Sequence, residues 1–274
     1  FSVDMEDFEA AKTRAREIVN PPQFSKGREM TREFIGGEDK MDFRYWSNNL
    51  GSLIKLHLDS MYDESDLVKE FDLEGKLETQ ATYGNLQLGD EGSRRFIQSG
   101  YRFYERDGER FVVIVSQDQD GDQRIVYITT QEGRGLELLD ELEEDFYANG
   151  PLNGAFIDMD YNFIKRSEMV DELLAWNPTI RKQLEKDVLD FLELMPILYE
   201  RGLPNSRGII LSGAPGTGKT MYAKSIAAEA ATTTILISAE MIRQRHDIKS
   251  TFKLARKLAP TLIIIEDIDT AGTV

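Results

Sequence analysis

The sequence predicts an α/β fold, with a parallel sheet flanked by helices that is preceded by a smaller α+β domain with an antiparallel sheet. A glycine-rich turn lies between an aliphatic run and a helix-prone run within residues 208–231. A second aliphatic run, at residues 261–265, ends in two acids. Between residues 80 and 130 the apolar residues alternate with period two, which is typical of antiparallel strands. We therefore expect a helical N-terminal region at 1–79, an antiparallel-sheet domain at 80–150 and the parallel sheet within 151–274.

Composition excludes several classes of function. The 274 residues include 49 Asp and Glu against 33 Lys and Arg, which gives a net charge of −16. Because this charge repels phosphate backbones and anionic lipid, we expect no nucleic-acid partner. The absence of cysteine excludes disulfides, thiolate metal sites and cysteine nucleophiles.

No apolar run approaches the ~20 residues of a membrane span, so we expect no membrane segment in this stretch and a cytoplasmic location. Since the sequence opens at Phe1, a missing anchor or targeting segment is left open.

The N-terminal region is predicted to be helical. Residues 4–19 place apolar side chains at helical spacing, and Pro21-Pro22 ends the pattern. We expect this amphipathic helix to pack on its own domain or on a neighbouring chain. Residues 45–71 indicate one or two further helices.

The antiparallel sheet is predicted from two β-rich runs, residues 109–117 and 123–130, with an Asp107-Gly108 turn before the first. Residues 135–147 then favour a helix. The spaced aspartates of residues 118–122 resemble a calcium loop, but the sixth position is Gln123 and the twelfth is Thr129, not Gly and Glu. A solvated turn is the better interpretation.

The C-terminal part begins with an extended stretch at 155–165 and a helix at 180–201, which we expect to bend at Pro196. Residues 208–212 favour a buried strand. After it, Gly213-Ala214-Pro215-Gly216-Thr217-Gly218-Lys219-Thr220 fits the Walker A pattern of P-loop NTPases, in the strand–loop–helix setting that the pattern requires. Backbone N–H groups of such a loop and the helix N-terminus bind phosphate, the lysine contacts the β- and γ-phosphates, and the threonine hydroxyl binds Mg²⁺.

The second aliphatic run ends at Glu266-Asp267. Ligands bind at the carboxyl ends of strands in open α/β sheets, so we expect these acids beside the phosphate loop. Adjacent carboxylates are costly unless a cation shares them, and a magnesium nucleotide supplies one. Without the phosphate loop, a helix cap or a surface role would be the better interpretation.

Over roughly residues 155–274 the chain resembles the AAA family of ATPases, as a module incomplete at its C-terminus. The likeness is carried by the phosphate loop, by the helix and strand before it, and by residues 252–260 leading into the acidic strand. The resemblance implies binding of ATP or ADP with Mg²⁺ at the residues named next. They are Gly213, Ala214, Pro215, Gly216, Thr217, Gly218, Lys219, Thr220 and Met221 for nucleotide, Thr220 and Glu266 for the metal, and Lys219, Glu266 and Asp267 for catalysis.

Two departures from the family pattern point to a subgroup. The usual acidic pair is Asp then Glu, whereas here Glu266 takes the metal role and Asp267 the role of the base that orients water. Only five residues, 243–247, stand where many AAA unfoldases carry a longer aromatic pore loop. Both departures, and a likeness over residues 101–147, resemble the mitochondrial AAA ATPases that translocate the folded Rieske iron–sulfur protein.

The resemblance implies Mg²⁺-dependent ATP hydrolysis that remodels or translocates a protein client, in a homo-oligomeric ring that is usually a hexamer. One alternative is a nucleotide-binding switch or scaffold with little hydrolysis, because Asp267 is one methylene shorter than the usual glutamate. A second alternative is a nucleic-acid-directed loader, which the acidic N-terminal part disfavours. His57 favours core packing and His246 a solvated loop, and no Gly-x-Ser-x-Gly elbow supports a hydrolase triad.

Overall fold

The computed structural model describes residues 22–73, 81–166, 177–230, 232–238 and 245–267, with side chains omitted at 22–25 and 245–247. The chain divides into two compact units. The N-terminal unit comprises Phe1–Leu86 and Ser93–Phe146, and the C-terminal unit comprises Gln87–Gly92 and Tyr147–Val274. The helix expected at 4–19 lies outside the described residues.

The N-terminal unit is an antiparallel sheet with helices on both faces. Its elements are α1 (Pro22–Ile35), β1 (Lys40–Trp46), α2 (Asn48–Met61), β2 (Leu67–Phe71), β3 (Thr82–Gln87), β4 (Ser93–Arg106), β5 (Glu109–Gln117), β6 (Gln123–Thr129) and α3 (Arg134–Asn149). The strand order is β1-β6-β5-β4-β2, and β3 pairs with β4. The β4, β5 and β6 pairs are antiparallel, which confirms the predicted sheet.

The alternation of side chains along the strands separates two cores. On one face, Phe34 of α1 packs with Phe103 and Val112. On the other, the Tyr62 ring lies 4.7 Å from that of Tyr104, at the C-terminal end of α2. The central strands β5 and β6 thus bury both of their faces, which explains why their apolar runs are nearly continuous.

Part of the region predicted to be helical is strand. β1 pairs with β6 and β2 pairs with β4, so both belong to the same sheet as residues 93–129. Within 45–71 only α2 is helical. The apolar residues of β1, Met41, Phe43 and Tyr45, alternate with charged ones, which is the strand pattern that the helical interpretation overlooked.

β1 is the outermost strand on its side of the sheet. Met41, Phe43 and Tyr45 are 38%, 49% and 45% exposed. The guanidinium of Arg124, on β6, lies 4.6 Å from the Phe43 ring centroid and 5.6 Å from that of Tyr45. This aromatic strip therefore carries a stacked arginine.

Both turns of this unit that the sequence predicted are present. Asp107 and Gly108 have φ values of 51° and 81°, as a two-residue hairpin turn requires. In the turn at 118–122, the Asp118 carboxylate accepts hydrogen bonds from the amides of Asp120 and Asp122. That carboxylate stabilises the turn itself.

The C-terminal unit contains a parallel sheet with helices. Its elements are β7 (Phe156–Asp158), α4 (Pro178–Glu200), α5 (Lys219–Glu229), β8 (Thr233–Ser238), α6 (Arg245–Lys257) and β9 (Thr261–Glu266). The strand order is β7-β8-β9, with both pairs parallel. A mixed α/β architecture with one antiparallel and one parallel sheet is thereby confirmed. Among the described residues, no helix has the length and apolarity needed to cross a membrane.

Residues 208–212 differ from the prediction, because the structure assigns them no strand. Ile210 is 89% exposed. A strand requires a hydrogen-bonded neighbour, and none of the described strands pairs with this run. Pro196 lies inside α4, which runs from Pro178 to Glu200 as one helix.

Candidate functional site

The glycine-rich loop is built on two residues in the left-handed region. Gly216 has φ 76° and Gly218 has φ 85°, a conformation that is costly for residues with a Cβ. Gly218 is the N-cap of α5 and provides no side-chain cap, so the first amides of the helix have no acceptor from the cap residue. Such a helix start favours an anion.

Lys219 folds back over the loop that precedes it. Its ammonium donates to the carbonyl oxygens of Gly213 and Ala214, both at 2.9 Å. The Thr217 hydroxyl also donates to the Ala214 carbonyl, at 2.9 Å. The loop therefore curls around a positive charge that stands at the N-terminus of α5, which is the arrangement that a polyphosphate requires.

α5 lies between the parallel sheet and α4. Ala227 packs with Phe156 and Ile264 of the sheet, and the Tyr222 hydroxyl donates to the Arg181 carbonyl of α4 at 3.3 Å. Burial on these sides fixes the axis of the helix, so the loop at its N-terminus has a defined position.

The approach to the loop is tied to α4 by Arg207. Its guanidinium donates to the Asp187 carboxylate at 3.0 Å and lies 5.0 Å from the Phe191 ring centroid. These contacts hold the residue that precedes 208–212, although residues 208–212 themselves do not form a strand.

The acidic pair ends β9, as predicted. Glu266 is the last residue of the strand, and its Oε1 lies 3.2 Å from Nζ of Lys224 on α5. Lys224 follows Thr220 by about one helical turn, so the structure brings Glu266 to the helix that carries the phosphate loop. Asp267 is exposed and has φ 50°. Sequence reasoning missed Lys224, which the spacing of four residues from Thr220 places on the same helix face.

The fit of a magnesium ion was tested on Glu266. Its Oε1 is buried and has no hydrogen-bond partner among the described residues, because the contact with Lys224 lacks hydrogen-bond geometry. The Lys224 ammonium is the cation beside this oxygen in the structure, and a carboxylate oxygen of this kind is also a suitable ligand for Mg²⁺. Thr220, with its hydroxyl, is exposed in the first turn of α5. These oxygens fit Mg²⁺ bound together with a nucleotide, and Glu266 and Thr220 are the residues that would hold it.

Of the two histidines, the structure describes the side chain of His57. His57 is 5% exposed, and its Nε2 lies 2.7 Å from Oδ2 of Asp145 within the N-terminal unit. Its ring packs on Phe146 at 5.8 Å, which confirms the packing interpretation. The side chain of His246 lies outside the described residues.

Comparison with known proteins finds similar sequences for the C-terminal part of the chain. Residues 209–274 match the family model "ATPase family associated with various cellular activities (AAA)". The chain is 35% identical over 99 residues to the proteasome-activating nucleotidase of Methanocaldococcus jannaschii, covering 33% of this chain and 23% of the relative. It is 29% identical over 118 residues to spastin of Xenopus tropicalis, covering 37% and 20%. The matches thus span less than a quarter of these relatives' length. Residues 209–274 of this chain are therefore similar to the AAA ATPase family domain.

Proposed function

We propose that the protein binds and hydrolyses ATP with Mg²⁺, and that it uses the energy to remodel or translocate a protein client as a homo-oligomeric ring, a hexamer by analogy. The main support is the loop at Gly216 and Gly218, which encloses the Lys219 ammonium at the start of a helix that contacts Glu266. The remodelling role is drawn from the relatives, the proteasome-activating nucleotidases and spastins.

The residues divide the chemistry as follows. Residues Gly213–Met221 hold the nucleotide, with Lys219 on the β- and γ-phosphates. Thr220 and Glu266 hold the metal, which when bound neutralises charge on the phosphates. Asp267 orients the attacking water and accepts its proton. Lys224 pairs with Glu266 in the structure, and Glu266 would exchange this ammonium for the metal when the nucleotide binds.

Two finer assignments belong to this proposal. Residues 151–274 are taken as the ATPase module, whereas the expected parts 1–79 and 80–150 share one antiparallel sheet and are treated together. The likeness to the mitochondrial ATPases that translocate the Rieske protein rests on the order of Glu266 and Asp267 and on the short stretch at 243–247.

A second candidate is a nucleotide-binding switch with little hydrolysis. One observation favours it: Asp267 is exposed and has φ 50°, in place of the longer glutamate that the family usually carries at this position. In such a switch the bound nucleotide, and not its hydrolysis, would set the state of the protein.

The test compares three variants of the full-length protein by calorimetric titration with MgADP and by steady-state ATPase turnover. Lys219→Ala should lose nucleotide binding, and Asp267→Asn should bind but not hydrolyse. Asparagine is chosen because it tolerates a positive φ. The matched control is Lys253→Ala, at an exposed position of α6. This variant should behave as wild type.

The outcomes separate the two candidates. Equal turnover by wild type and Asp267→Asn would overturn the assignment of the base. MgADP binding with negligible turnover by wild type would favour the switch. Absence of MgADP binding by wild type would overturn both candidates.

A further inference from the structure

Arg166 lies at the end of the parallel sheet where β7 and β8 begin. The chain turns back after β7, with Ile157 bridged to Phe163, and so returns to this edge. The guanidinium donates to the carbonyl oxygen of Gly154 at 3.1 Å and to that of Thr232 at 2.6 Å. Gly154 lies two residues before β7 and Thr232 one residue before β8, so one side chain joins the starts of two strands.

The same guanidinium binds the last turn of α5 by donating to the Ala227 carbonyl. The final carbonyls of a helix have no partner within the helix, and a cation there also complements the helix dipole. α5 has 11 residues, which corresponds to about 16 Å. Arg166 therefore holds one end of α5, and the phosphate loop forms the other end.

Arg166 is itself held by Asp90. The Asp90 carboxylate accepts a hydrogen bond from the Arg166 amide at 2.7 Å. Burial lowers the pKa of the Arg166 guanidinium, and the negative charge of Asp90 opposes this effect. Asp90 thus stabilises both the backbone and the charge of the residue that caps α5.

Asp90 lies in the loop Gln87–Gly92, a single 3₁₀ turn that connects β3 to β4 but belongs to the C-terminal unit. Leu88, 3% exposed, anchors the loop. Gly89 has φ 59°, and a Cβ built on it would lie 3.4 Å from the Ile164 carbonyl oxygen. The loop is therefore in van der Waals range of residues 163–164, and the hydrogen bond from the Arg166 amide to Asp90 holds it there.

We propose that Asp90 and Arg166 are positioning residues for the phosphate loop. The conformational order of loop 87–92 and the affinity for nucleotide are then coupled through α5. The coupling rests on the proposed function, because it presupposes a nucleotide at the N-terminus of α5. A helix transmits displacement along its axis, and small misplacements of binding groups are costly.

The first experiment compares Asp90→Ala with Asp90→Asn in the full-length protein. Alanine removes the acceptor of the Arg166 amide, whereas asparagine keeps an acceptor oxygen. We expect the MgADP dissociation constant to rise about five-fold in Asp90→Ala and to return to within two-fold of wild type in Asp90→Asn. The control is Glu132→Ala, at an exposed position in the β6–α3 connection. Unchanged affinity in a folded Asp90→Ala protein would overturn the proposal.

The second experiment needs no variant, and it decides the matter if Asp90→Ala does not fold. Coupling is reciprocal, so bound nucleotide must stabilise the loop as much as the loop stabilises the bound state. We expect MgADP to slow amide hydrogen exchange at residues 88–92 and at Arg166 by several-fold in wild type. Slowing confined to residues 213–224 would overturn the coupling while leaving nucleotide binding intact. If MgADP does not bind at all, the proposed function fails instead.

Discussion

Lys55 provides a quantitative test of the N-terminal unit. The side chain is fully buried in α2. Its ammonium donates to the carbonyl oxygens of Gln98 and Ser116 at 2.8 and 2.9 Å and to Oε1 of Gln123 at 2.5 Å. All three acceptors are uncharged, so burial lowers the pKa of Lys55 from its usual 10.5 to about 8.

The sign of the pH effect follows from this pKa. Below pH 8 both the folded and the unfolded chain carry the proton, and the folded state bears the full cost of the buried charge. Between pH 8 and 10.5 the folded state releases the proton while the unfolded state keeps it, so stability rises with pH. Since one pKa unit equals about 1.4 kcal/mol, the gain attributable to Lys55 is about 3 kcal/mol over this interval.

The perturbation is Lys55→Met, measured by urea denaturation between pH 7 and 10. Methionine removes the donor that these three acceptors share, so at pH 7 we expect a loss of a few kcal/mol. The difference in unfolding free energy between wild type and Lys55→Met should then grow by about 2–3 kcal/mol from pH 8 to pH 10. Fluorescence of buried Trp46 in a Trp176→Phe background reports on this unit.

The control is Lys26→Met at an exposed lysine, for which the difference from wild type should not vary with pH. A difference that stays constant between pH 7 and 10 for Lys55→Met would refute the reasoning. It would mean that the three oxygens compensate fully for the lost hydration of the ammonium.

Two further predictions concern the C-terminal unit. Gly218→Ala forces alanine into the left-handed region at a strain of about 1–2 kcal/mol, so MgADP affinity should fall about tenfold as the loop relaxes; Gly208→Ala, without a positive φ, should match wild type in the same titration. Asn177→Ala removes the cap whose side chain accepts from the amides of Thr179 and Ile180, and should lower the unfolding free energy by about 1 kcal/mol. Thermal unfolding followed by circular dichroism measures that loss, and an unchanged midpoint would count against the cap.

Local patterns predicted the elements that have a single dominant signal. The helices predicted at 135–147 and 219–231 are present as Arg134–Asn149 and Lys219–Glu229, and the strand before Glu266 and the hairpin turn at Asp107-Gly108 are present as predicted. The turn of the phosphate loop was predictable because glycine is the residue that most readily adopts positive φ values. Gly216 and Gly218 have such values. These features depend on sequence neighbours alone.

The rest depends on residues that are distant in sequence. β1 becomes a strand by pairing with β6, more than 75 residues later, and residues 208–212 are not a strand because none of the described strands pairs with them. Lys224 meets Glu266 only because α5 packs on β9. Arg166 was missed since the carbonyl groups that it binds carry no residue signature. Burial and pairing of this kind are tertiary properties.

The outer strand β1 also affects how the protein behaves at high concentration. An exposed strip of Met41, Phe43 and Tyr45 on a terminal strand can recruit a strand of another molecule and start aggregation. Lys40, Asp42 and Arg44 alternate with these residues, so an incoming strand must desolvate charges along with apolar groups. The alternation thus opposes aggregation. Replacing Arg44 by an apolar residue would lower the solubility of the protein and favour association between its molecules.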